Sequence, residues 1–314
     1  MACAARIKQE FRPRQFLLGH RNRSDFTRTM WMGNQLPFVI YRGVLCLFQM
    51  VVYIYCLLSF YTTGPKYLLY LTNLAYVLLT AHTTLSAVLC FLDYFKSRRR
   101  SEGGPETAEA QPTVAEITPM MDDDVPNTPD NRSSQMNTQE PTPSHDRLPW
   151  YYKCYWILYN ATFAVGFYVT IAYWTLLRGG GDTYSAYSIL THGVNCVVIL
   201  IDILVSGLPC RLLHFIYPSS FALGYILFTV IYWAAGGTDL INRPWIYPVL
   251  DYGENPGLAV GIGVGSTLLA APLCHGIVFG LALARDTMLM RLAHKRHLPD
   301  AVGTTVEPQA EECV

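Results

Sequence analysis

Charge is what this sequence has least of. Asp, Glu, Lys and Arg make up 15% of its 314 residues, against roughly 25% in an average soluble protein. The 23 basic residues are matched by 23 acidic ones, and that balance excludes the basic footprint a nucleic-acid binder needs, so no nucleic acid is expected as a partner. Metal-ligand spacing is also missing: there is no C-x-x-C pair and no Cys/His spacing that reads as zinc. The nine cysteines are therefore expected to be reduced packing residues, and no metal or cofactor is expected. The first 36 residues lack a basic start running directly into an apolar stretch and a small-residue cleavage site, which predicts no removable signal.

What the sequence has instead is long apolar runs. Six windows, residues 37–60, 67–92, 154–177, 187–208, 213–235 and 257–284, contain only two of all the charged residues, Arg42 and Asp202. At about 1.5 Å rise per residue each window is long enough to cross a hydrocarbon layer of roughly 30 Å. The spacing predicts an all-α bundle of six transmembrane helices. Its organisation is a basic arm at 1–36, spans one and two within 37–95, a loop at 96–148, spans three to six within 149–285, and a tail at 286–314.

Sidedness follows from the basic residues. Of 23, only Lys66, Arg178 and Arg243 fall on one side, Arg42 lies in a span, and the other nineteen lie in the arm, the long loop, Arg211 and the tail. The positive-inside bias then predicts cytosolic termini. On that topology the sequons at Asn22, Asn131 and Asn160 are not exposed to the lumen and carry no glycan. Arg42, near the inner end of span one, is expected to snorkel to headgroups. The loop at 96–148 opens with the basic run KSRRR, which attracts anionic lipid beside a helix end. It then turns acidic and rich in Pro, Ser and Thr, the composition of a disordered segment. It could recruit cytosolic partners, with Thr118, Thr128 and Thr142 as proline-directed phosphorylation sites.

Polar groups inside spans are costly and mark candidate sites. On span four, His192, Asn195, Asp202 and Ser206 share one helical arc, and on span two Thr72, Asn73, Tyr76 and Thr80 form another. Thr72, Asn73 and His192 are expected at a common depth of about 9 Å below the outer boundary. An inner polar layer is expected from His82, Asp202, His214 and His275, with Asp202 paired to one of the histidines. Gly257, Gly261 and Gly265 on span six form a small-residue ridge that permits close helix contact, and Tyr and Trp at the span ends form headgroup belts.

The run THGVNCVVILIDILVSGLPCRLLHFIYPSSFALGYILFTVIYWAAGGT, followed by RPWIYPVLDY, closely resembles the rolling stone family of multi-pass membrane proteins, over roughly residues 30–295 apart from the long loop. The resemblance implies a plasma-membrane protein, with the endoplasmic reticulum as the other membrane to consider, and a role in cell fusion of the kind that joins myoblasts. A more distant similarity is to the androgen-induced type of intramembrane threonine hydrolases, which cleave fatty acid esters of hydroxy fatty acids. It rests on the pair His192–Gly193, the turn His214–Tyr217–Pro218–Ser219, the run Gly224–Leu227 and the segment Trp245, Tyr247, Pro248, Leu250, Asp251. That likeness implies His192 as catalytic base. The family's threonine nucleophile stands three residues before an acid or amide, and here Tyr70 stands three residues before Asn73, so Thr72 is the nearest hydroxyl of the right kind. Asn73, Asn195, Tyr225 and Tyr232 are the corresponding candidate binding residues for an acyl-ester substrate or membrane lipid. A third reading is a small-molecule or proton transporter lined by Asp202 and the inner histidines.

Overall fold

A computed structural model describes residues 7–102, 148–177 and 185–297. Among these residues the chain is all-helical, and six helices are long and apolar enough to cross a membrane: α1 (Leu36–Ser59), α2 (Leu71–Ser101), α3 (Trp150–Leu176), α4 (Ala186–Val205), α5 (Leu212–Ala234) and α6 (Pro256–Ala293). The six-span bundle expected from the apolar windows is the fold observed. Most of the loop at 96–148, including its three Thr-Pro steps, and residues 298–314 of the tail lie outside the described residues.

Each helix reads as its sequence dictates. In α1, Pro37 occupies the first turn, where its missing N–H costs nothing. Phe38, Arg42, Leu45, Gln49, Val52 and Cys56 are buried at helical spacing, while Val44, Leu47, Val51 and Leu58 stand exposed on the other side. That two-faced pattern inverts the soluble rule, because here the outward side chains meet lipid and the inward ones may be polar. α3 is the central helix and α5 the peripheral one: 67% of the former's apolar window is buried against 17% of the latter's. Tyr155, Trp156, Tyr159 and Phe163 of α3 pack in the main core with Leu79, Ile199, Ile203 and Val278.

Several boundaries differ from the sequence windows, each for a local reason. α2 starts at Leu71, since Tyr61–Leu69 coils into 3-10 turns around Gly64, whose φ of 56° favours glycine, and Pro65. At its other end the helix runs through the basic cluster to Glu102, so the first seven residues assigned to the loop are helical. Arg99 and Arg100 in the last turn suit the negative end of the helix dipole. α4 stops at Val205, because Ser206 turns extended and Gly207 passes close to the arm. A Cβ at Gly207 would sit 2.9 Å from the Arg28 carbonyl oxygen.

The arm is folded across the base of the bundle. Phe26 is buried against Tyr152, Tyr155 and Trp156. Arg28 pairs with Asp93 at 3.0 Å, and Arg211 donates to the Leu17 and Gly19 carbonyls at 2.6 and 2.5 Å. Glu10 accepts from the Leu212 amide at the start of α5 (3.1 Å). The broken end of α4 is capped from outside its own helix, as buried carbonyls require. Trp31 donates to Leu204 O (2.6 Å), Thr29 to Val205 O (2.7 Å), and Arg285 to Ile203, Ser206 and Leu208 O (3.0, 2.6 and 3.1 Å).

Two expectations about packing are corrected. Arg42 does not snorkel: it is 1% exposed and turned inward, because an opposite charge lies within reach there. The ridge of Gly257, Gly261 and Gly265 meets nothing within 4 Å, and it is Gly263, between them in sequence, that lies tight against Ile226 of α5. The seven cysteines among the described residues are all free.

Candidate functional site

Two polar regions occupy opposite ends of the bundle. At the base, Asp202 of α4 receives Arg42 Nη1 from α1 at 2.5 Å and Tyr41 OH at 3.3 Å on one carboxylate oxygen, while His82 Nε2 of α2 approaches the other at 3.4 Å. The His82 ring stacks on Tyr155 at 5.1 Å and 12°, and Tyr155 donates to Ser86 at 2.9 Å. Arg42, Asp202 and His82 are at most 1% exposed. A buried ion pair of this kind ties three helices together, and its desolvation cost leaves little net stability. Asp202 thus meets one histidine of the expected inner layer, His82, together with an arginine outside that layer.

The other two histidines form a separate group. His214 packs edge-on to Trp156 (4.7 Å) with Nδ1 3.4 Å from Asn160 Nδ2, and His275 Nε2 donates to the Arg211 carbonyl at 2.9 Å. The four inner residues are therefore distributed over two places. Among the described residues no group of three or more His, Cys, Asp or Glu is arranged to hold a metal.

At the opposite end lies a partly open apolar cleft, with about 70 Å³ of enclosed space, bounded by α3, α5, α6, the first turn of α2 and the loop at 247–250. Its walls are small or branched, with Ala164, Val165 and Ala172 from α3, Ala222 and Ile226 from α5 and Ile262 from α6. Its polar groups are all hydroxyls: Thr72, Tyr168, Tyr225, Tyr247 and Ser266. Tyr168 and Ser266 bond to each other at 2.9 Å. Tyr225 donates to the Leu69 carbonyl at 2.7 Å, at the end of the 3-10 segment, and Tyr247 OH accepts from the Leu71 amide at 2.9 Å, so one tyrosine caps the free start of α2 and the other ties down the turn before it. Tyr225 lies beside both Tyr247 and Tyr168, which makes the hydroxyls one cluster. Burial pushes the Tyr247 phenol up to about 12, so it keeps its proton at neutral pH.

The loop over this cleft is latched. Tyr232 donates to Thr238 O (2.9 Å), and Lys66 donates to Thr238 Oγ1 and Asp239 O (3.1 and 2.9 Å). Arg243 Nε reaches Asp239 at 2.6 Å. Burial alone would raise the Asp239 carboxyl, but the backbone amides of Arg243 and Ile241 and the Arg243 guanidinium hold it below its ordinary value.

The structure gives the members of the candidate catalytic pair different neighbours. Thr72 lies in the first turn of α2 and faces the cleft. His192 is on α4, its ring stacked face to face on Tyr173 of α3 at 3.8 Å and its carbonyl accepting from Thr170 at 2.9 Å. Among the described residues no hydrogen bond joins the two. Asn73 meets the Tyr187 hydroxyl, five residues before His192 on α4. Asn73 also donates to the Tyr67 carbonyl at 2.7 Å. His192 Nδ1 and Asn195 Oδ1 are both buried without a partner. Both His192 and Tyr173 sit in π-helical turns, Ile189–Val194 and Tyr173–Leu177, and Ser266 opens a third, Ser266–Ala270. Widened turns of this kind recur at functional sites.

Sequence reasoning missed Arg42 as a partner, and it missed Tyr168 and Ser266. The signal for the first was present, since the two charges left in the apolar windows are of opposite sign. Tyr247 was named only within the segment shared with the hydrolases, with no role given to it.

Comparison with known proteins follows the same outline. A family model described as Protein rolling stone matches residues 128–305. The chain is 31% identical over 262 residues to Protein rolling stone of Drosophila melanogaster, covering 82% of this chain and 81% of that one. No solved structure matches.

Proposed function

The chain belongs to the rolling stone family of multi-pass membrane proteins, and from that premise we propose that it acts at the plasma membrane in cell fusion by taking up lipid in its lateral cleft. The observation that carries this reading is the cleft itself, a partly open apolar groove with a hydroxyl cluster at one side. Adhesion by a bulky domain is the weaker route, because the connections at the cleft end, 60–70, 177–185 and 235–255, are short. With the termini in the cytosol, the basic run Lys96–Arg100 adds a lipid-facing patch, and the segment 96–148 offers a place to recruit cytosolic partners.

The test is a content-mixing assay between cells expressing the protein. Ala222→Trp fills the cleft. Wild type is expected to raise fusion above mock cells and the variant, at equal surface level, to lose that gain. Equal fusion by both proteins, or no gain with wild type, overturns the reading.

A second reading, intramembrane ester hydrolysis, is favoured by one observation: the buried, unpartnered Nδ1 of His192. An imidazole so placed can take the proton of a hydroxyl as that oxygen attacks an acyl carbon. Thr72 in the cleft is the candidate nucleophile, and it requires a rearrangement of α2 against α4 to meet His192. Labelling by a fluorophosphonate probe that His192→Ala abolishes supports it, and equal inertness of both proteins removes it. Transport has less support, since Asp202 is already engaged by Arg42, Tyr41 and His82.

A further inference from the structure

We infer that the cleft selects a neutral ester lipid of the diacylglycerol class and rejects phospholipids and free fatty acids; the inference rests on the lipid reading above. Its first support is charge. Every polar side chain lining the cleft is a hydroxyl, with no Lys, Arg, His, Asp or Glu among them. Among the described residues, the cations at that end are already committed, Lys66 to Thr238 and the Asp239 carbonyl and Arg243 to the Asp239 carboxylate. A phosphate or carboxylate brought into this space would be desolvated without a counter-charge, the costliest way to bury a group. A neutral head loses nothing of that kind.

The second support is hydrogen-bond arithmetic. Tyr247 OH accepts from the Leu71 amide and also bonds to Tyr225 and Thr72, so its proton is engaged within the cluster. In the Tyr168–Ser266 pair one hydroxyl donates to the other, so the acceptor's own proton is free. The cluster therefore offers a donor hydrogen beside an apolar slot, and an ester carbonyl is the matching acceptor. A diacylglycerol brings two such carbonyls, and its single hydroxyl can serve the remaining lone pairs; a sterol brings one hydroxyl and no carbonyl.

The test is photo-crosslinking with the full-length protein in lipid nanodiscs. Four clickable probes are compared at equal mole fraction: diacylglycerol, phosphatidylcholine, a sterol and palmitic acid. Labelled peptides are mapped to 164–176 and 218–226. The diacylglycerol probe is expected to label these segments at least about tenfold more than phosphatidylcholine, a difference corresponding to about 1.4 kcal/mol, with unlabelled diacylglycerol competing. Tyr168→Phe combined with Ser266→Ala removes both members of a bonded pair, strands no partner, and is expected to lower diacylglycerol labelling several-fold at an unchanged melting temperature. Labelling by phosphatidylcholine, palmitate or sterol at the level of diacylglycerol overturns the selectivity and leaves the lipid reading standing. No labelling of these segments by any probe overturns both.

Discussion

At the base of the bundle, polar groups are charged and pair with one another across helices. In the cleft itself they are hydroxyls, and they pair with backbone at or just before the start of α2 or with a neighbouring hydroxyl. The base holds Arg42, Asp202 and His82 between α1, α2 and α4, and Arg285 under the end of α4. The cleft end has Tyr225 on Leu69, Tyr247 on Leu71 and Tyr168 on Ser266. A charge in a low-dielectric interior requires a fixed counter-charge, so the base is closed. A hydroxyl tolerates a missing partner at far smaller cost, so the cleft end can stay open to a changing occupant.

That contrast sets the expected size of each perturbation. The largest belongs to the ion pair. Arg42→Met alone strands Asp202, and the expected loss is about 3–5 kcal/mol, read as a fall in melting temperature in detergent. Arg42→Met with Asp202→Leu is expected to recover most of it. If the double variant is as unstable as the single one, the base is held by something other than the pair. Next comes Arg285→Met, which leaves the Ile203, Ser206 and Leu208 carbonyls without that donor and is expected to cost about 1–3 kcal/mol.

Tyr225→Phe at the opposite end removes one neutral bond to Leu69, and the expected change is about 0.5–1.5 kcal/mol. A loss there as large as at Arg285 would erase the distinction between the two ends. The smallest effect concerns the latch of the cleft loop. The Asp239 carboxyl is held below its ordinary 3.8, so its contribution is fully present above that value and disappears as pH falls through the lowered one. Amide exchange in residues 238–247 should therefore quicken only in acid, and Asp239→Asn should flatten that dependence.

The contrast also explains what could be read from the residues alone. The spans were legible because exclusion of charge from long runs is a property of the chain itself. His82, His192 and Asp202 were singled out because each interrupts such a run. Helix starts were less legible: Gly64 and Pro65 delay α2 to Leu71, so that Asn73 lies in its first turn and donates back to the Tyr67 carbonyl. The pairing of Arg42 was missed because position along a helix gives depth and says nothing of what stands opposite. Tyr168 and Ser266 carry no signal in isolation, since hydroxyls are frequent in membrane helices and only packing brings these two within 2.9 Å.

The arm beneath the bundle has a temporal consequence. Thr29 and Trp31 are synthesised some 170 residues before the carbonyls they cap, Val205 and Leu204, and Arg285, which shares the task, comes later still. Until α4 is made, this stretch lacks those partners. Its protection from protease during translation would therefore report the arrival of the end of α4.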